Sequence, residues 1–204
     1  MNIEEIRKIA HKKMKKRKSN QYKEKGYLYN HGYRVANIAL NLRKKIFPEM
    51  ETYDEIIFVS SLFHDISKGI EPHSKIGSLL IGEIIGDFCS KDDLDKIKEI
   101  ILLHNKRKEK NDYHMSIKLV QDADILDHFG SVEIWQNCSQ NGQDESGIEG
   151  TLQWYNCEDA QSYNKSSMKD LNFQESKEIL SEKIAYVKEF KERLERENKG
   201  DIFF

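Results

Sequence analysis

Residues 60–69 read SSLFHDISKG, and in them an apolar run passes directly into an imidazole and a carboxylate, His64 and Asp65. Upstream, Ile56, Val59 and Phe63 recur at steps of three and four, the spacing of one buried helical face. Thr52 and Glu55 are placed as a capping box at the start of this predicted helix. Gly69 offers its stop. An imidazole or carboxylate on a buried stripe is costly unless it is paired or bound to metal. The doublet is therefore the place to work outward from.

The same conflict recurs on four other predicted helices. His31, Val35, Ile38 and Leu42 share a face. Pro72 is placed to open a helix whose face holds His73, Ile76, Leu80 and Ile84. Ile97, Ile100 and Ile101 lead to His104, and Ile117 and Val120 lead to Asp124 and Asp127. One such residue is ordinarily a hydrogen-bonded core group, and Asp124 alone reads as a surface acid. Six of them, His31, His64, Asp65, His73, His104 and Asp124, all of ligand type and spread over five helices, point to one metal site between helices. Asp122 and Asp124 lie about 200° apart around a helix and cannot both face it. Asp124 shares the stripe of Ile117 and Val120 and is taken as the ligand. Asp127 or His128 could orient a ligand from behind, while Asp122 is expected to be structural or to point outward.

Around this core the chain reads as all-α. Strand alternation is nearly absent, there are only two prolines, and 33% charged against 38% hydrophobic residues suits amphipathic helices with wet outer faces. A length of 204 residues is enough for a single domain, 1–204. Residues 1–26 are expected to form a basic helix or arm, since Arg7 to Lys25 holds ten Lys and Arg and one acid, Glu24. Such an arm can attract phosphates, although a solvated helix face is the plainer reading. The core is placed at 27–135. Residues 136–170, rich in Asn, Gln, Ser and Gly, read as a loop or lid. A last helix within 171–204 turns Leu180, Ile184, Val187 and Leu194 inward. The net charge of −2 singles out no partner, no apolar run is long enough for a membrane span, and Cys89, Cys138 and Cys157 show no paired spacing. Free thiols and a cytoplasmic location are expected.

Four strings carry a resemblance to a known family: YNHGYRVANIA (29–39), SSLFHDISKG (60–69), VQDADILDHFG (120–130) and the tail LNFQESKEILSEKIAYVKEF (171–190). The order His31, then His64-Asp65, then Asp124 resembles the HD-domain superfamily of metal-dependent phosphohydrolases, in particular its small bacterial single-domain members. Lys68 after the doublet resembles the HDxxK variant, and Ser67 departs from the common HDIG form at a position that is not a ligand. The resemblance implies an all-α HD-domain helical bundle with the metal site between helices and an added C-terminal helix. It implies one divalent metal ion (Mn, Mg, Fe, Co, Ni or Zn) on His31, His64, Asp65 and Asp124. His73 and His104 match two further histidines of some members, which implies a second ion on these two and a bridging Asp65.

The expected chemistry is hydrolysis of a nucleotide phosphoanhydride or phosphomonoester by a metal-activated water. Asp65 and Lys68 are the catalytic candidates, and Lys68 and Arg34, each about one turn from a ligand histidine, could hold phosphate oxygens. The partner is then a small phosphate substrate, with neither nucleic acid nor membrane expected. The superfamily also contains regulatory proteins that bind a nucleotide without turnover, and di-iron oxygenases; these readings stand as alternatives. The sequence has no GxxxxGK[ST] loop and no GxSxG, which excludes the NTPase and hydrolase classes built on them.

Overall fold

The computed structural model describes residues 1–107 and 112–202. The chain divides into two compact units, Met1–Asp124 and Ile125–Phe204. The described residues are helical throughout, without strands, so the all-α reading holds.

The first unit begins with α1 (Ile3–Met14), α2 (Tyr27–Ile46) and α3 (Asp54–Phe63) and continues through α4 (His73–Ile85), α5 (Lys91–Leu103) and most of α6 (Met115–Asp127). Packing runs α1 on α2 and α3, α2 on α3, α3 on α5 and α4 on α5. α1 is no free arm: Ile6, Ala10 and Met14 are buried at steps of four, as an amphipathic helix requires. Asn2 caps it by accepting from the Glu5 N–H. The basic residues after it are partly tied down as well. The Arg17 guanidinium donates to the carbonyls of Ile66 and Lys68, on the turn that follows the His64-Asp65 doublet. In α2, His31, Val35 and Leu42 are buried as expected, with Ala39 beside them. Arg43 on this helix is buried in a forked ion pair with Asp54, at 2.6 and 2.5 Å.

Two readings of helix ends and faces need correction. Thr52 and Glu55 form no capping box; residues 51–53 are a 3-10 turn, α3 starts at Asp54 with no side-chain cap, and Glu55 instead pairs with the Met1 amino group. On α4 the buried face is His73, Gly77, Ile81 and Ile85, whereas Leu80 is exposed. The sequence offers apolar residues on both sides of this helix, and periodicity alone cannot choose between them.

The second unit holds the end of α6, then α7 (Ser131–Gln143), α8 (Gly147–Asn156), α9 (Glu158–Asp170) and α10 (Gln174–Asn198). Residues 136–170, expected as loop or lid, are instead most of α7, then α8 and α9. Their Asn, Gln and Ser side chains bond back one turn along the helix, Asn141 to Asn137 and Gln143 to Ser139, which offsets weak helix propensity. α10 packs on α7, α8 and α9 with Leu180 and Val187 buried, as its periodicity indicates, and Ile184 and Leu194 half-buried. No helix among the described residues is long and apolar enough to cross a membrane.

Candidate metal centre

The six sequence-chosen ligands come together in the first unit, and all six are buried. Each stands where a helix ends or closes against a neighbour. His31 lies on the first turns of α2. His64 and Asp65 follow the last turn of α3, where the chain tightens into i-to-i+3 bonds from Ile66 to Phe63 and Lys68 to Asp65. His73 opens α4, and its carbonyl accepts from Ser67 Oγ at 2.5 Å, tying α4 to the doublet's turn. His104 caps α5. The Gln121 side chain donates to the Leu103 carbonyl at 2.9 Å, so α6 presents Asp124 in register with His104.

The close approach of α2 and α3 depends on a glycine beside the first ligand. A Cβ at Gly32 would stand 2.4 Å from the Leu62 carbonyl oxygen. With only hydrogen there, the two helices meet backbone to backbone and His31 Nε2 stands 3.2 Å from His64 Nε2.

Three of the histidines are aimed by their other ring nitrogen. His64 Nδ1 lies 2.7 Å from the Ser61 carbonyl, and His104 Nδ1 lies 2.7 Å from the Ile101 carbonyl. A carbonyl can only accept, so both Nδ1 atoms carry the proton and both Nε2 atoms turn a lone pair inward. His73 Nδ1 faces the Glu71 carboxylate at 3.0 Å. This is the outer support typical of metal-binding histidines.

Asp65 divides these groups into two sets. Its Oδ2 lies 3.9 Å from His31 Nε2 and 3.8 Å from His64 Nε2, while its Oδ1 lies 3.3 Å from His73 Nε2 and 3.7 Å from His104 Nε2. Asp124 Oδ1 joins the first set, 3.2 Å from His31 Nε2 and 3.5 Å from His64 Nε2. The trios His31–His64–Asp65, His64–His104–Asp124 and Asp65–His73–His104 each bring ligand atoms within 4.8 Å of one another. His73 Nε2 is buried without a well-directed hydrogen bond. Inward lone pairs, an under-satisfied ring nitrogen and two carboxylates form a donor set that suits divalent cations.

The electrostatics agree. Burial alone would raise the Asp65 carboxyl, but the His64, His104 and His73 rings outweigh it and hold it well below the usual carboxylate range. Burial pushes the His104 imidazole down, against the pull of Asp65. The neighbouring Asp65 carboxylate raises His73, and Glu71 adds to it.

Of the candidates for phosphate binding, Lys68 lies 3.5 Å from Asp65 with its side chain 37% exposed, and Arg34 is half-buried on α2. Asp122 does not point outward: residues 119–124 of α6 are all buried, so that helix has no wet face there. Sequence reading missed three supporting groups. Arg107 forms a close ion pair with Asp124 Oδ2. Glu71 supports His73, and the ring of Tyr27 stacks on that of His31 with centroids 5.4 Å apart. Glu71, two residues before His73, could have been suspected from the rule that ligating histidines bond to carboxylates. Arg107 sits in a polar connection and gave no periodic signal.

A family model described as HD domain matches residues 28–130, a span containing all six groups. Among solved structures, the chain is similar to an HD-superfamily hydrolase from Bacillus thuringiensis, with a TM-score of 0.69 and 19% identity over 97% of this chain and 96% of that one. It is similar to Bacillus subtilis YpgQ in complex with ADP, with a TM-score of 0.63 and 20% identity over 95% and 96%. The Lin1889 protein of Listeria innocua gives a TM-score of 0.61 and 23% identity over the full length of both chains. At these identities the likeness concerns the fold. No curated protein matches the sequence.

Proposed function

Because the chain belongs to the HD-domain family, we propose that it is a metal-dependent phosphohydrolase acting on a nucleotide phosphoanhydride or phosphomonoester. The observation that carries this reading is the split of Asp65. One oxygen faces His31 and His64 and the other faces His73 and His104, so this carboxylate would be shared between two cations held by those pairs. Residues His31, His64, Asp65 and Asp124 would hold one divalent ion, and His73, His104 and Asp65 the other. Such ions supply Lewis acidity to a phosphoryl oxygen and lower the pKa of a water from 15.7 toward about 7.

The chain's own groups do the rest. The Ser61 and Ile101 carbonyls and the Glu71 carboxylate fix the rings of His64, His104 and His73 before substrate arrives, so no reorganisation is required at reaction. Lys68 reaches the rim on the Asp65 side, where its ammonium can take a phosphate oxygen or hold the attacking water. Arg34, one turn from His31, is assigned to substrate phosphate. That YpgQ is solved with ADP supports a nucleotide for a chain of the same fold. The unpaired Cys89, Cys138 and Cys157 are in keeping with a cytoplasmic setting.

The test is a screen of nucleoside mono-, di- and triphosphates against a simple phosphomonoester, repeated with Mn, Mg, Co, Ni and Fe. Metal-dependent release of phosphate or pyrophosphate from a nucleotide is the expected result. Equal kcat/KM for a generic monoester and every nucleotide would remove the nucleotide assignment. Full metal loading with no turnover of any substrate would overturn the hydrolase reading itself.

A further inference from the structure

Asp124 is asked to serve two cations. Its Oδ1 lies 3.2 Å from His31 Nε2 and 3.5 Å from His64 Nε2, on the side where the ligand lone pairs converge. Its Oδ2 is held by an Arg107 Nη2. The Arg107 side chain is 21% exposed, so part of it is within reach of solvent. Its Nε is buried and has no hydrogen-bond partner among the described residues. An unspent guanidinium donor next to a metal-type cluster is costly unless something comes to accept from it.

A single carboxylate charge cannot neutralise both a divalent ion and a guanidinium. Once a cation occupies the His31–His64 side, the positive charges repel and the hold of Asp124 on Arg107 weakens. An anion placed between them relieves both. A phosphate offers oxygens in the spacing that the planar guanidinium fork matches with two parallel N–H donors, Nε among them.

We infer that Arg107 is a phosphate-binding residue that exchanges partners, paired with Asp124 in the metal-free protein and turned to a substrate phosphate oxygen when metal takes Asp124. The inference rests on the metal-dependent reading above and adds to it the residue that recognises the anion. Arg107 is then a competitor of the metal for Asp124 and an ally of the phosphate. A purely structural clamp would behave in the opposite way, since it would hold Asp124 ready for metal.

The experiment separates the two by measuring metal and anion independently of turnover, on the full-length chain. Metal-stripped wild type, Arg107→Gln and Arg107→Lys are titrated with Mn²⁺ by calorimetry. The Mn-loaded proteins are then titrated with inorganic phosphate, with circular dichroism confirming the fold of each. Arg107→Gln is expected to bind Mn²⁺ as tightly as wild type or more tightly, while its phosphate affinity falls by about 10- to 100-fold, the range for a lost charge-assisted hydrogen bond. Arg107→Lys, which keeps the charge but not the fork, is expected to recover part of that loss. Weaker Mn²⁺ binding by Arg107→Gln, or unchanged phosphate affinity, overturns the inference and leaves the metal-centre reading standing. If Arg107→Gln does not fold, Arg107→Lys decides alone: phosphate affinity equal to wild type overturns the inference, and a loss with Mn²⁺ affinity kept supports it. Wild type that binds no Mn²⁺ overturns the metal centre, and this inference with it.

Discussion

Replacing His104 by Gln tests whether the centre holds one ion or two. The His104 ring faces the Oδ1 side of Asp65, 3.7 Å away, with His73 as its companion at 3.3 Å. The pair His31 and His64 lies toward Oδ2, so removing the His104 ring should empty one subsite and spare the other. An ion present at 100 times its Kd stabilises the folded chain by about 2.7 kcal/mol. Two subsites that each contribute this much give wild type about 5 kcal/mol on metal addition, and His104→Gln about half of that. The substitution also costs stability in its own right, because His104 is 1% exposed and donates to the Ile101 carbonyl. That cost is common to the metal-free and metal-loaded forms and cancels when each protein is compared with itself. The assay is urea denaturation in chelator and in saturating Mn²⁺, with metal content measured after gel filtration. The expected stoichiometry falls from about two ions per chain to about one. A variant that keeps the full metal-induced gain, or a wild type that never holds more than one ion, would refute the two-subsite reading.

Three further outcomes follow from other residues. Asp124→Asn should lose metal, since Asp124 Oδ1 faces both His31 and His64, whereas Asp122→Asn should lower stability with metal content unchanged; equal metal loss in both, by metal analysis, would show that α6 is set in the wrong register. Burial pushes the Glu133 carboxyl up to about 7 from 4.5, against the Gly130 N–H and Lys183. A carboxyl raised on folding contributes stability that is full below about 4.5 and lost as pH rises through about 7, at most about 3 kcal/mol. Glu133→Gln should thus match wild type at pH 4.5 and exceed it at pH 8.5 in thermal denaturation, and an equal difference at both pH values would count against that burial. Breaking the buried fork of Arg43 with Asp54→Asn should cost near the lower end of about 3–5 kcal/mol, because Asp54 is itself 31% exposed; a loss under about 1 kcal/mol in urea denaturation would mean the pair is solvated.

The cluster was legible because its residues break the pattern they sit in. His31, His104 and Asp124 each end or interrupt an apolar stripe, and the structure buries all three. Single periodicities carried less. On α4, apolar residues occupy several faces, and only packing against α5 selects Ile81 over Leu80. The capping box at Thr52 and Glu55 satisfied a local rule, but the Met1 amino group, distant in sequence, claimed Glu55. The helices within 136–170 escape the sequence because propensity is summed along the chain, whereas burial of Thr151, Ala160 and Ser167 against neighbouring helices is not. Arg107 was invisible for the same reason. Its partner lies 17 positions away in the sequence, and nothing in the string NKRKEK at 105–110 distinguishes it from a solvated lysine.

Gly32 works as a caliper for the whole centre. Adding one methyl group there would require its 2.4 Å gap to the Leu62 carbonyl to open by about 1 Å before ordinary contact is restored. The two imidazoles mounted on those backbones would part by a similar amount. An ångström is about half of a metal–imidazole bond of about 2.0–2.1 Å, enough to spoil the spacing of a donor pair. If the rings hold a cation as proposed, the spacing of its donors is set in part by a position that offers none. A search for altered metal affinity has reason to include that residue beside the six candidate ligands.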